Sequence, residues 1–172
     1  MRALRTSIAT AVVFAALAGG AAAATVQLNW HEQAKVHAKP AIAFHVQALV
    51  TQTKGKISGW AVVAEVTNRS TKPLKISAHQ FGLALFKDAK ATDPHHATLL
   101  PAGAFSPALP AVLAPGKTWR GTFIGAGGPP KGSYVRVLFG WFSGPAVGGT
   151  GFNWISDHVH HWCPGSCSTY GA

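Results

Sequence analysis

The sequence predicts an all-β protein, a two-sheet antiparallel sandwich of about seven strands. Three observations carry this. Apolar residues alternate with a period of two through several runs of six to twelve residues. Those runs are separated by Gly-, Pro- and Asn-rich turns. After the first 24 residues, no stretch repeats with a helical period. At 172 residues the chain suits one domain, and at 48% hydrophobic residues it has ample apolar surface to bury.

The chain opens with an address. Arg2 and Arg5 precede an apolar run, Thr6 to Leu17, and the small residues Gly19 to Ala24 follow. This is the layout of a secretory signal peptide, with cleavage expected after Ala24. A secreted product without a transmembrane helix is therefore expected. Residues 25–41 read as a lead-in with a short strand at Val26–Trp30.

The expected sandwich spans residues 42–142. Ile42, Phe44, Val46, Ala48 and Val50 alternate along a first strand, Ile42–Thr53. The turn Lys54-Gly55-Lys56 leads to Ile57–Asn68, with Trp60, Val62, Ala64 and Val66 on one face, and the two runs form a hairpin. Asn68 to Pro73 is a polar turn. Leu74–Ile76 and Phe81–Phe86 are short strands, and Lys87–Ala97 is a loop. Pro107, Pro110 and Pro115 restrict residues 102–115 to an edge strand or an extended crossing. Thr118–Ile124 and Tyr134–Phe142 complete the set, the latter with Val135, Val137, Phe139 and Trp141 on one face.

Residues 57–142 resemble the small secreted immunoglobulin-like domains of bacterial envelope proteins. The likeness rests on Trp60 to Asn68, Lys72 to Ile76, Phe81 to Phe86, Leu113 to Phe123 and the run Val135–Phe142. It implies an immunoglobulin-like β-sandwich with a binding or structural role and no shared catalytic site. No functional residue follows from it. Both cysteines lie beyond the last of these strands, so no bridge between sheets is expected.

Five acidic residues exclude most chemistry built on paired carboxylates. No Gly-x-Ser-x-Gly or Ser-x-x-Lys motif occurs. His31-Glu32-Gln33-Ala34-Lys35 begins like a zinc-protease helix but has lysine where the second histidine must stand. The sequence thus predicts no enzyme. Removing Arg2 and Arg5 from the 15 basic residues leaves 13 against 5 acidic ones, a net charge of +8. That charge draws a secreted protein toward anionic cell-wall polymer, an envelope protein being the other partner expected, with no specific nucleic acid implied. The lysines also sit at turns and strand ends, where they aid solubility and discourage edge-to-edge pairing.

Residues 143–172 form a Gly/aromatic/His/Cys-rich tail. His158, His160 and His161 are candidate ligands for copper or zinc. In an extended chain His158 and His160 would point to one side. In a secreted protein Cys163 and Cys167 are expected to pair as a small disulfide, which leaves an imidazole-only site and no obligatory cofactor. Trp141, Trp154 and Trp162, spaced by glycines, are candidates for stacking on sugars, or for capping the open end of the sandwich. Asn68-Arg69-Ser70 matches a glycosylation sequon.

Overall fold

The structure, a computed structural model, describes residues 22–54, 57–90 and 97–164. Two antiparallel sheets pack face to face. The first contains β1 (Ala22–Val36), β2 (Lys39–Lys54), β3 (Ile57–Asn68), β7 (Ala104–Ser106) and β9 (Thr118–Ala126), in the order β1-β2-β3-β9-β7. The second is built on β10 (Tyr134–Gly144). One side of β10 pairs with β4 (Leu74–Ser77) and β5 (Gly82–Phe86), which lie end to end. Beyond them lie β8 (Val112–Leu113) and β6 (Thr98–Pro101). The other side pairs with β11 (Gly149–Ile155) and β12 (His160–His161). Among the described residues no helix is long and apolar enough to cross a membrane.

The all-β expectation holds, and its main strands fall where the alternation puts them. Trp60, Val62, Ala64 and Val66 are buried together beside Phe123 of β9 in the same sheet, facing Phe81, Phe139 and Phe142 across the interior. The aromatic rings meet mostly edge to face, with Phe81 and Phe123 5.4 Å apart and Phe123 and Phe139 5.7 Å apart. The proline-rich stretch supplies only the short edge strands β7 and β8, which pair in different sheets.

The sheets extend past 42–142 at both ends. The lead-in is a full strand, β1, paired with β2 along nearly its whole length. The tail returns as β11 and β12 along the far edge of β10. Together they add strands beyond the seven expected. Residues 1–21 of the expected signal peptide lie outside the described residues.

Two bulges change which side chains face inward. In β2 the pairing with β3 slips between Val46 and Ala48, so Gln47 is the extra residue. Leu49 then takes the inward place that simple alternation assigns to Val50. In β10 the pairing with β11 slips between Phe139 and Trp141. Phe142 becomes fully buried, and Trp141 turns outward with 40% of its surface exposed. Gly140 makes this break possible. A Cβ there would lie 2.2 Å from the Phe81 ring and 2.6 Å from the His79 carbonyl oxygen, so the ring rests on bare backbone where β4 hands over to β5.

Candidate functional site

The tail is held by Glu32, which the sequence shows only as part of a failed zinc-protease motif. On β1, His31, Gln33 and Lys35 face outward, while Trp30, Glu32 and Ala34 face inward. Glu32 lies opposite Phe44, and only 2% of its side chain is exposed. A carboxylate removed from water must have its oxygens satisfied. Oε2 accepts hydrogen bonds from the Trp154 indole N–H at 3.1 Å and the Asp157 amide at 3.0 Å. Oε1 accepts one from the His158 amide at 3.1 Å and lies 2.8 Å from His158 Nδ1. The edge of one sheet is thereby tied to the chain leaving the edge of the other.

Ser156, also fully buried, pins the same segment from the β10 side. Its amide donates to the Val137 carbonyl at 2.8 Å. Its hydroxyl accepts from the Val137 amide and donates to the His158 carbonyl, both at 2.9 Å. The Arg136 guanidinium donates to the Ser156 carbonyl. This serine replaces ladder bonds where β11 ends and β12 has not begun. The only sequence signal for either residue's structural role was a polar side chain in an otherwise apolar period.

The three tail histidines take three different partners. His158 stacks on Trp30, with ring centroids 5.4 Å apart. His161 stacks on Tyr134 at 4.5 Å. His160 is half-buried and meets Trp162 edge to face at 6.2 Å. Burial, then the neighbouring His161, hold the His160 pKa below its usual value. The extended run that would align His158 with His160 is absent, because residues 156–159 are not strand. Among the described residues no three His, Cys, Asp or Glu side chains stand close enough to hold a metal ion. Cys163 Sγ lies 3.7 Å from the His161 ring, and Cys167 lies outside the described residues.

The tryptophans do not share a platform. Trp162 is buried in the main core, and Gly132 and Ser133 bond its backbone. Trp154 stacks on Phe44 at 5.7 Å while its indole N–H serves Glu32. Trp141 alone is exposed, and it lies against Gly151, where a Cβ would come within 2.4 Å of the indole.

The sequon is sealed. Asn68 is fully buried, and its Nδ2 donates to the Lys72 carbonyl at 2.8 Å and the Leu113 carbonyl at 2.9 Å. Its Oδ1 accepts from the Ser70 amide at 3.0 Å. The side chain that a glycan would need is the peg of the turn.

The outer face of the first sheet carries a polar row across four strands. His31 pairs with His45, His45 with Glu65, and Glu65 with Arg120. The two imidazoles stack with centroids 4.0 Å apart. Burial first, then the charge His31 would carry, lower the His45 pKa, and Glu65 pulls it the other way. Glu65 Oε1 lies 3.0 Å from the Arg120 guanidinium and accepts from Gln47 at 3.1 Å.

Two clefts open at opposite ends of this sheet. One, of about 540 Å³, is lined by Ala23, Thr51, Ser58, Gly128, Trp162 and Pro164 among others, with no charged side chain among the described residues. The other, of about 560 Å³, lies between the β1–β2 turn, the turn after β3 and the single 3-10 turn Pro145–Val147. His37, Lys39, Arg69 and Lys72 line it, with no carboxylate among its lining residues. No family model matches the chain, and no curated protein and no solved structure matches it.

Proposed function

We propose that this protein is a secreted, non-catalytic binding module of the bacterial envelope, and that it holds an anionic wall polymer. The observation that carries the reading is the imbalance of charge: 13 basic residues against 5 acidic ones once the expected signal peptide is removed. Three of those five acids are already engaged, Glu32 with the tail, Glu65 with Arg120 and Gln47, and Asp88 with the Lys90 amide. A carboxylate whose oxygens are taken by four donors is a structural clamp, a poor general base or metal ligand. The cations therefore face the solvent largely uncompensated, and a polyanion is what such a surface collects. In this reading a Cys163–Cys167 bridge closes the segment that follows Trp162.

Pull-down of the secreted protein by insoluble cell wall, in a series of NaCl concentrations, tests this. Retention that persists at about 0.3 M salt supports it, because diffuse attraction between exposed charges is largely screened there. Release at or below about 0.15 M salt rejects a dedicated polymer-binding role.

A further inference from the structure

We propose that the cationic cleft between the β1–β2 turn, the turn after β3 and the 3-10 turn is a binding site for a phosphoryl group. The inference rests on the reading above and locates it. Lys39 is distant in sequence from Arg69 and Lys72, and the β1–β2 hairpin turn and the crossing from β3 to β4 bring the three to one cleft with His37 and Thr71. Among the described residues no carboxylate forms an ion pair with any of the three. Like charges gathered without counter-charge repel one another, and a bound anion relieves that cost. The cleft at the other end of the sheet has a similar volume and no charged lining among the described residues, so the cations are a property of this end.

The turn that presents Arg69 and Lys72 is rigid. Asn68 pins it from inside through four hydrogen bonds, to the Lys72 and Leu113 carbonyls and from the Ser70 amide and hydroxyl. The Arg69 amide donates to the Ala41 carbonyl at 2.8 Å, which fastens the turn to β2. A turn backbone already fixed in place lowers the ordering cost of binding to that of the exposed side chains themselves. The facing turn is strained. His37 and Ala38 both have positive φ, 48° and 63°, a type I′ geometry that usually recruits glycine or asparagine. Such strain persists where the surrounding structure requires it. Here it places His37 near Gly148 on the third wall.

One guanidinium saturates a carboxylate through a two-pronged contact. A guanidinium, two ammonium groups and an imidazole around one cleft suit a more highly charged oxyanion. A tetrahedral phosphoryl group offers the oxygens and the charge to meet them. It can arrive as free phosphate or as the phosphodiester of a wall polymer.

The test titrates inorganic phosphate into the ¹⁵N-labelled secreted protein at constant ionic strength, with chloride as the balancing anion. The expected result is saturable shifts confined to residues 36–41, 69–73 and 145–148. The triple variant Lys39→Gln, Arg69→Gln, Lys72→Gln is expected to weaken binding at least tenfold. The charge-matched variant Lys87→Gln, Lys90→Gln, Lys131→Gln should leave it unchanged. Absence of a saturable response, or equal loss in both variants, overturns the site. In a second arm the wild type is retained on polyglycerol phosphate beads and eluted with inorganic phosphate. Saturable phosphate binding with no polymer retention makes the free anion the ligand and rejects the wall-polymer reading. Polymer retention that both triple variants weaken alike rejects the cleft and leaves the wall-polymer reading standing.

Discussion

Glu32 and Glu65 are the same residue type on two strands of one sheet, each opposite a neighbour on β2. Glu32 faces Phe44 and points inward, whereas Glu65 faces His45 and points outward. The inner carboxylate is almost wholly buried and accepts from Trp154, Asp157 and His158. The outer one is 21% exposed and meets an arginine whose side chain is 74% exposed. Burial raises both the cost of a charge and the value of its partners, and water dilutes both. The inner pairing should therefore determine whether the tail docks, and the outer one should scarcely affect the fold.

The largest expected effect comes from Glu32→Gln. The amide keeps the volume, but its NH2 group must face donors that need an acceptor. Leaving buried partners unsatisfied costs about 3 kcal/mol. The urea midpoint should fall accordingly, and amide exchange in residues 156–162 should accelerate more than in β3. Glu65→Gln, measured alongside, should cost under about 1 kcal/mol. Equal losses would break the comparison.

Acidification should act next in size, through two histidines. Burial and a neighbouring imidazole hold His45 and His160 below the usual 6.5. Between the folded and unfolded values the unfolded chain binds more protons, so stability is complete above about pH 6.5 and declines as pH falls below it. Urea midpoints should drop between pH 7 and pH 5. His45→Asn should flatten part of that slope, because it removes one of the two groups. A slope identical to wild type would mean that His45 takes up its proton as readily folded as unfolded.

The strands that the sequence shows most clearly are those whose inward residues are uniformly apolar, such as β3 with Trp60, Val62, Ala64 and Val66. Of β1 only Val26–Trp30 was legible, because past Trp30 its inward set continues with Glu32 and Ala34, a carboxylate in place of an apolar residue. The acid became legible only once its donors, more than 120 residues away, were in place. Trp141 misled for a local reason. Alternation points it inward, and the bulge beside Gly140 turns it out. The cationic cleft was illegible because lysines at turns look alike in sequence, and only the packing of the two turns shows that Lys39 and Lys72 line one cleft. The tail histidines were visible as a cluster, yet each is nearer to an aromatic ring than to a common centre.

The smallest effect sharpens the comparison most. Arg120→Ala removes an exposed partner of Glu65 and should cost no more than about 0.5 kcal/mol, less in high salt. Gln47 still donates to Glu65, so the carboxylate keeps a hydrogen bond while its charge loses its counter-ion. That charge then acts more strongly on His45, which stands opposite it. The His45 titration should move upward in the variant, read from its imidazole proton shift by NMR. The same row would then show two separate quantities: a stability that hardly changes and a proton affinity that does. A large loss of stability with no movement of the titration would reverse the assignment and make Arg120 a structural tie between β3 and β9.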